Sequence, residues 1–354
     1  MQSSVLRHNL KELQDILIAL SYPRHKAGSI FKWIYKKSIF DFEQMTDLSK
    51  SERQNLKEQF NILVLQTIVI NESQDGTLKF LFKAQDGARI ESVMIHNEGD
   101  SRYTICVSSQ VGCALRCSFC ATGQLGFSRH LSREEIISQV LLVDAEIKKR
   151  YKLDPYSRAL DNIVFMGMGE PMLNYEEVLK SIEILNNQAG FDIGTRRITI
   201  STAGIINGIE KFIQAPGQIR LALSLHAANH EKRKNIMPIA RKENTRQVLD
   251  IIRLYQKETG RRITIEYILI EGFNDSEKDV LALKHELTNI KYNLNVIPLN
   301  PVDNLPYDAP SFRGIQEFTK KLKHHSIPFV LRTPKGQDIN AACGQLALKN
   351  ISMR

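Results

Sequence analysis

The stretch that decides the fold is CVSSQVGCALRCSFC, residues 106–120. It closes a run, Tyr103–Ser108, whose Tyr, Thr, Ile and Val read as a strand. It then places Cys113, Cys117 and Cys120 in a C-x3-C-x2-C spacing. The chain has five cysteines: Cys106 and these three fall together, and Cys343 lies far away. An odd count, in a chain whose first residues lack the basic flank and apolar core of a secretory signal, argues against a disulfide framework. Three thiolates on one short loop are metal-ligand chemistry. Zinc usually takes four ligands from paired C-x2-C knuckles, and no second C-x2-C is present. A 4Fe–4S cube takes one thiolate per iron. Three thiolates then leave one iron open, where a sulfonium cofactor can chelate and be cleaved. A structural zinc completed by His130 or a distant residue is the alternative.

Downstream, strand-like and helix-like segments alternate. The strands are Tyr103–Ser108, Asn162–Met166, Arg197–Ser201, Ile219–Leu225, Arg262–Ile270 and Leu294–Pro298, each bounded by Gly, Asn, Asp or Pro. The helices are Ser132–Lys149, Tyr175–Gln188, Gly204–Ile213, Thr245–Thr259, Ser276–Leu287 and Ser311–His324. Ser132 with Glu135 makes a capping box. Six such units predict an α/β fold, a partial (β/α)6 barrel. The unusual polar residues fall where these strands end. The cysteine loop follows the first, Gly167–Pro171 the second, and Ser201-Thr202 closes the third. Ser224–His226 closes the fourth, Gly272–Asp275 follows the fifth, and Asn300-Pro301 the sixth. In barrels that end is the active face, which predicts an enzyme.

Upstream, residues 1–60 show helical spacing at Leu10, Leu13, Ile16, Leu17 and Leu20, and again at Ile30, Trp33 and Ile34. Lys26, Lys32, Lys36 and Lys37 lie beside Trp33, the only tryptophan. This segment reads as a small helical accessory domain, either RNA-binding or simply a basic helix packed on Trp33. Residues 61–98 alternate in strand fashion, with turns at Gln74–Gly76 and Gln85–Gly87, and read as a strand-rich linker. The barrel core runs over 99–345, and 346–354 form a basic tail.

The 354 residues carry 48 Lys plus Arg against 39 Asp plus Glu, a net charge of +9, with ordinary apolar (42%) and charged (25%) contents. These values exclude disorder, collagen and coiled coil as global descriptions. No run reaches the ~18 apolar residues that span a bilayer, so no membrane partner is expected and the expected location is cytoplasmic. Beyond Phe318 seven basic residues face one acid, Asp338, and the first sixty residues carry ten basic against seven acidic. Basic ends suit a nucleic acid held between them, though solvated helix faces explain the charge as well.

The cysteine spacing, with Phe119 before its last cysteine, resembles the radical S-adenosylmethionine (SAM) signature. Across almost the whole chain the sequence resembles the RlmN/Cfr family of RNA methyltransferases. The carrying stretches are Glu91-Ser92-Val93, Cys106–Cys113, Phe165–Asn174, Ser224–His226 and Ala341–Leu346. The resemblance implies a radical-SAM barrel in which Cys113, Cys117 and Cys120 ligate one 4Fe–4S cluster. It implies that Gly169 and Glu170 hold the cofactor's amino group, and that Ser201, Ser224, Leu225, His226 and Asn300 line its pocket. Cys343 would accept a methyl group, Cys106 would form a transient disulfide with it, and Glu91 would accept the substrate proton.

The implied reaction methylates carbon 2 of adenine in 23S rRNA and tRNA, using two SAM per turnover. That carbon lies between two ring nitrogens and is too electron-poor to attack a methyl sulfonium. A 5′-deoxyadenosyl radical would instead activate the Cys343 methyl, and Cys106 would release the product by thiol attack. An external electron donor and a monomeric enzyme complete the expectation. Alone, the residues read more plainly: Cys343 as a buried thiol, Cys106 as a spare ligand or core thiol, Glu91 as a strand-surface charge, His226 as a strand-end cap. Alternatives are methylation at carbon 8 of the same rRNA adenine, against which Pro171 and Met172–Asn174 speak, and a small-molecule radical enzyme, which has no need of basic ends. A non-catalytic RNA-binding factor with a structural metal is the remaining one.

Overall fold

The computed structural model describes residues 2–348 apart from 98, 100, 101, 303 and 304. Lys349 and Arg354 of the expected basic tail lie outside the described residues. Three helices open the chain: α1 (Leu10–Ala19), α2 (His25–Phe31) and α3 (Lys50–Gln59). Reciprocal capping boxes start α1 (Asn9 with Glu12) and α3 (Ser49 with Glu52). The paired strands β1 (Ser3–Ser4) and β2 (Phe60–Asn61) tie the two ends of this unit together. Trp33 belongs to its core: Nε1 donates to Asp47 Oδ2 at 3.1 Å, and the Lys37 ammonium sits 3.2 Å from the ring centroid. Lys26 pairs with Glu52 at 3.0 Å and Lys36 with Asp192 at 3.7 Å. Of the four lysines read as a basic face, two are therefore held in ion pairs and one packs on the indole.

Next come β3 (Leu65–Glu72), β4 (Leu78–Ala84), β5 (Arg89–Asn97) and β6 (Arg102–Cys106), an antiparallel meander in which Leu81 opposes Glu91 and Val93 opposes Cys106. A short hairpin follows, β7 (Gln110–Gly112) with β8 (Phe127–His130), and brackets the cysteine loop and α4 (Ala121–Gln124). The parallel strands are β9 (Asn162–Phe165), β10 (Ile198–Thr202), β11 (Arg220–Ser224), β12 (Ile263–Leu269), β13 (Tyr292–Pro298) and β14 (Phe329–Leu331). With the meander they make one ten-stranded sheet of the described residues, ordered β14-β13-β12-β11-β10-β9-β6-β5-β4-β3. Strands β3–β5, within the segment 61–98 read as a linker, are thus hydrogen-bonded into the barrel sheet itself.

The covering helices are α5 (Arg133–Tyr151), α6 (Tyr175–Asn186), α7 (Ile206–Ile213), α8 (His230–Ile236), α9 (Thr245–Thr259), α10 (Glu277–Glu286) and α11 (Phe312–His324). Ser132 and Glu135 cap α5 as its sequence predicts. α9 shows what holds such a helix to the sheet: Val248, Leu249, Ile252 and Tyr255 are wholly buried, each contributing roughly 1.5–3 kcal/mol. The six expected strands correspond to β6 and β9–β13, and the six expected helices to α5, α6, α7, α9, α10 and α11. The sequence reading did not include α8, the β7–β8 hairpin or β14. α8 lies in a charged run, His230–Asn235, that mimics a solvated loop. β14 is three residues long and follows Pro328.

Side chains alternate between the two faces of the meander. Ser92 Oγ donates to Gln139 of α5 at 2.7 Å, so Glu91 and Val93 point the other way, into the barrel. Cys106 and Lys79, both opposite Val93, point inward with them.

Candidate active site

The cysteine loop is shaped by backbone bonds. Cys113 N donates to Gly126 O at 2.8 Å, Cys120 N to Cys117 O at 3.2 Å, and Gly123 N to Cys120 O at 3.0 Å. Gly112 has φ +74°, and a Cβ there would stand 1.9 Å from Gly126 O. Only glycine admits this closure. Cys113, Cys117 and Cys120 are free and partly exposed. Desolvation pushes Cys113 up to about 11 and raises Cys120, while for Cys117 desolvation, Cys120 and Cys113 together push it well above the ordinary thiol range. Thiols so placed keep their protons unless a cation takes up their charge, which is what iron does. Among the described residues no three His, Cys, Asp or Glu side chains converge on one ion position. A cube has no such need, since it takes one thiolate per iron. His130, the proposed fourth zinc ligand, is hydrogen-bonded through Nδ1 to Gln110 Nε2 at 3.1 Å.

Around the loop stand the other strand ends. Gly169 has φ +100°, and a Cβ there would meet Gln110 Cβ at 2.5 Å. Glu170 is buried and accepts from Met172 N at 3.0 Å and Ala203 N at 2.8 Å, while desolvation raises it to about 7. Ser201 and Ser224 are joined Oγ to Oγ at 3.3 Å. Leu225 N and His226 N both donate to Glu266 O. The His226 ring meets Phe119 edge-on at 5.0 Å, and its Nδ1 accepts from Ile268 N at 3.1 Å. Desolvation, then Arg233, lower its pKa to about 3, so the ring is neutral with the proton on Nε2. His226 thus does cap the β12 backbone, while its Phe119 contact places it against the cysteine loop. Asn300 is engaged by the chain: Nδ2 donates to Cys343 O at 3.1 Å and Oδ1 accepts from Gln337 at 2.8 Å.

Behind the loop lies a group that sequence reasoning missed. Arg233 is fully buried on α8. Its Nε donates to Leu225 O at 3.1 Å, and its Nη2 to Ala203 O at 2.6 Å and Ser224 O at 3.3 Å. Nη1 has no partner, and the guanidinium charge acts on Cys117. A buried cation with a spare donor beside three cysteines fits an anionic iron–sulfur cluster. Glu266 was missed too. It is buried on β12, accepts from Asn295 Nδ2 at 2.9 Å and, with Arg332, acts electrostatically on Cys343. In the run Ile263–Leu269 it reads as an ordinary outward charge.

The segment after β14 runs back across the barrel and pins Cys343 from both sides. Gly336 N donates to Asp75 at 3.0 Å, and Ser73 Oγ and Gln74 N donate to Asp338 at 2.5 and 3.1 Å. These bonds reach the β3–β4 turn. On the barrel side Gln345 donates to Pro301 O at 2.9 Å, Ala121 N to Gly344 O at 2.7 Å and Thr122 Oγ1 to Leu346 O at 2.7 Å. Cys343 is exposed and Cys106 buried, both are free, and the two interact electrostatically. Glu91 is buried, and its Oε2 accepts from Leu348 N at 3.3 Å. Desolvation raises its pKa against the opposing charge of Lys79. The structure thus places Cys343 near both Cys106 and the cysteine loop, and ties the segment that follows it to Glu91.

Comparison with known proteins follows the same outline. The radical SAM superfamily model matches residues 107–283, and the ribosomal RNA large subunit methyltransferase N-terminal domain matches residues 4–62. The chain is 42% identical over 353 residues to the probable dual-specificity RNA methyltransferase RlmN of Thermotoga maritima, covering 99% of each chain. It is 39% identical over 354 residues to the protein of that name from Aquifex aeolicus, again covering 99% of each. A crystal structure of a radical SAM methyltransferase from Sphaerobacter thermophilus matches with a TM-score of 0.92 at 39% identity, covering 97% of this chain and 99% of that one. The superfamily match implies a 4Fe–4S cluster and SAM as cofactors. No helix of the described residues is long and apolar enough to cross a membrane.

Proposed function

This chain belongs to the RlmN family of radical SAM methyltransferases, and from that premise we propose that it methylates carbon 2 of adenine in 23S rRNA, at the peptidyl-transferase centre, and in tRNA, 3′ of the anticodon. Cys113, Cys117 and Cys120 would hold the cluster, with Arg233 balancing its charge. Gly169 and Glu170 would take the cofactor's amino group, and Ser201, Ser224, Leu225, His226 and Asn300 would line the rest of its pocket. Cluster and cofactor would supply one electron and a carbon-centred radical able to strip hydrogen from a methyl group. The chain's residues do the rest. Cys343 takes the methyl by displacement, one SAM being spent there and another in the radical step. Its exposed position lets that methyl meet an RNA base. Glu91 accepts the proton from carbon 2. Cys106, as its thiolate, attacks the Cys343 sulfur; the bond from that sulfur to the product carbon breaks, the released carbon takes up a proton to become the methyl group, and a Cys106–Cys343 disulfide remains, which an external electron donor reduces. The protein would act as a cytoplasmic monomer.

The observation that carries this reading is the placement of the Cys343 segment. It is bonded to the cysteine loop through Ala121 and to the proposed base through Leu348. A binding module has no use for that pairing. The test is mass spectrometry of methyladenine isomers in rRNA and tRNA from cells with and without the protein. Loss of 2-methyladenine from both RNAs supports the reading, 8-methyladenine would reassign the target carbon, and no change would refute it. Anaerobic preparation gives a second check: a colourless zinc protein that never yields 5′-deoxyadenosine would overturn the radical chemistry.

A further inference from the structure

Lys79 has no part in the roles assigned so far. It lies on β4 opposite Val93 of β5, and Val93 lies opposite Cys106 of β6. The three side chains form a row across the inner face of the meander. Glu91 stands two residues from Val93 on that same face. The side chains of Lys79 and Glu91 are only 6% and 3% exposed, and Nζ lies 3.6 Å from Glu91 Oε1. The same ammonium donates to Asn340 O at 3.3 Å. A lysine is rarely sealed from water unless paired. Here its partners are the proposed proton acceptor and the backbone just ahead of Cys343.

We propose that Lys79 is a positioning residue for the reaction: its ammonium locks the Glu91 carboxylate and the Cys343 segment into one arrangement, so that the proton acceptor is ionised and in place when RNA arrives. The inference rests on the reading of Glu91 and Cys343 above. Its electrostatic side follows from what surrounds Glu91. On β4 it faces the Lys79 charge, and from the C-terminal segment the Ala347 and Leu348 amides. Its own amide donates to Met168 Sδ, and β6 contributes the Cys106 thiol to the same face. Desolvation favours the protonated acid, and Lys79 is the leading influence against it. Without that ammonium Glu91 keeps its proton to higher pH, and the Cys343 segment loses one of its ties to the meander.

The experiment uses the full chain, reconstituted with its cluster, and compares wild type with Lys79→Met, Lys79→Arg and Glu91→Gln. Three quantities are read: Cys343 methylation by mass spectrometry, RNA methylation and trapped RNA–protein adduct between pH 6 and 9, and amide exchange of residues 340–348 without RNA. For Lys79→Met the expected result is normal Cys343 methylation and an acid limb of RNA methylation moved up by at least one pH unit. Adduct should build up near pH 7, and exchange should speed up at least tenfold. Lys79→Arg, which keeps the charge, should restore the limb. A merely structural lysine would lower Cys343 methylation as well, and would leave the limb in place. If Lys79→Met fails to take up the cluster, Lys79→Gln, which keeps a hydrogen-bond donor without the charge, carries the same comparison. A wild-type limb and wild-type exchange in a variant that methylates Cys343, with Glu91→Gln inactive, would overturn the inference and leave the base reading standing. Normal turnover by Glu91→Gln would refute the base reading instead, and unchanged exchange would then remove the inference with it.

Discussion

Replacing Arg233 with Met asks what a fully buried cation does behind a cysteine loop. In the protein without its cluster, the substitution removes three bonds to the carbonyls of Leu225, Ala203 and Ser224. At the lower end for charged donors these are worth about 4 kcal/mol together. It also removes a desolvated charge. Burial holds the guanidinium down at about 10, and that displacement from the ordinary range corresponds to about 3 kcal/mol. The two effects nearly cancel, so the cluster-free variant should melt within about 2–4 °C of wild type. With the cluster in place the balance changes, because the cation now faces a buried anion. Breaking such a pair costs about 3 kcal/mol or more, on the order of a hundredfold in cluster retention. The assay is differential scanning fluorimetry of the cluster-free protein, followed by the rate of iron loss to a chelator after anaerobic reconstitution. A variant that melts far lower yet keeps its iron as well as wild type would refute the reasoning. Arg233 would then be only a brace between strand ends.

Three further outcomes are expected. Cys106→Ala should accumulate a covalent RNA–protein adduct through Cys343, visible as a shifted band on a denaturing gel, and normal turnover by this variant would sink the resolving role. Gly169→Ala should lose measurable SAM binding by calorimetry and about 3 kcal/mol of stability, because the new Cβ would combine φ +100° with a 2.5 Å contact to Gln110. SAM affinity should also weaken about fivefold between pH 7 and pH 6. Glu170, raised to about 7 by desolvation, must lose its proton to hold an ammonium, so binding releases that proton and is progressively lost as the pH falls below its pKa. A flat affinity across pH 6–8 would remove Glu170 from that role.

Much of the frame was legible because local chemistry and burial agree along it. Ile, Val and Thr runs ended by Gly or Asn gave the barrel strands, and the capping residues Ser132 and Glu135 announced the start of α5. The polar residues at strand ends could be placed on one face for the same reason. Buried charge was not legible. Lys79 in Leu78–Ala84 and Glu266 in Ile263–Leu269 look like outward members of alternating strands. They are covered only because the sheet curls and because the Cys343 segment lies over one rim. Arg233 sits in a basic run whose other members, Lys232 and Lys234, are half-exposed and paired with Asp279 and Glu231, and the stacking of α8 on the strand ends seals it. The roles of Glu91 and Cys343 came from likeness to a family, since a lone carboxylate and a lone thiol carry no spacing to read.

The short turn between β3 and β4 has an unexpected bearing on the chemistry. Surface turns commonly absorb inserted residues at little cost. This one grips Asp338 through Ser73 and Gln74, and lends Asp75 to Gly336. It therefore fixes the height at which the Cys343 sulfur is presented. A residue inserted there would leave every proposed reacting group intact and detune the enzyme all the same, as moving a hinge pin misaligns a latch without touching either of its jaws.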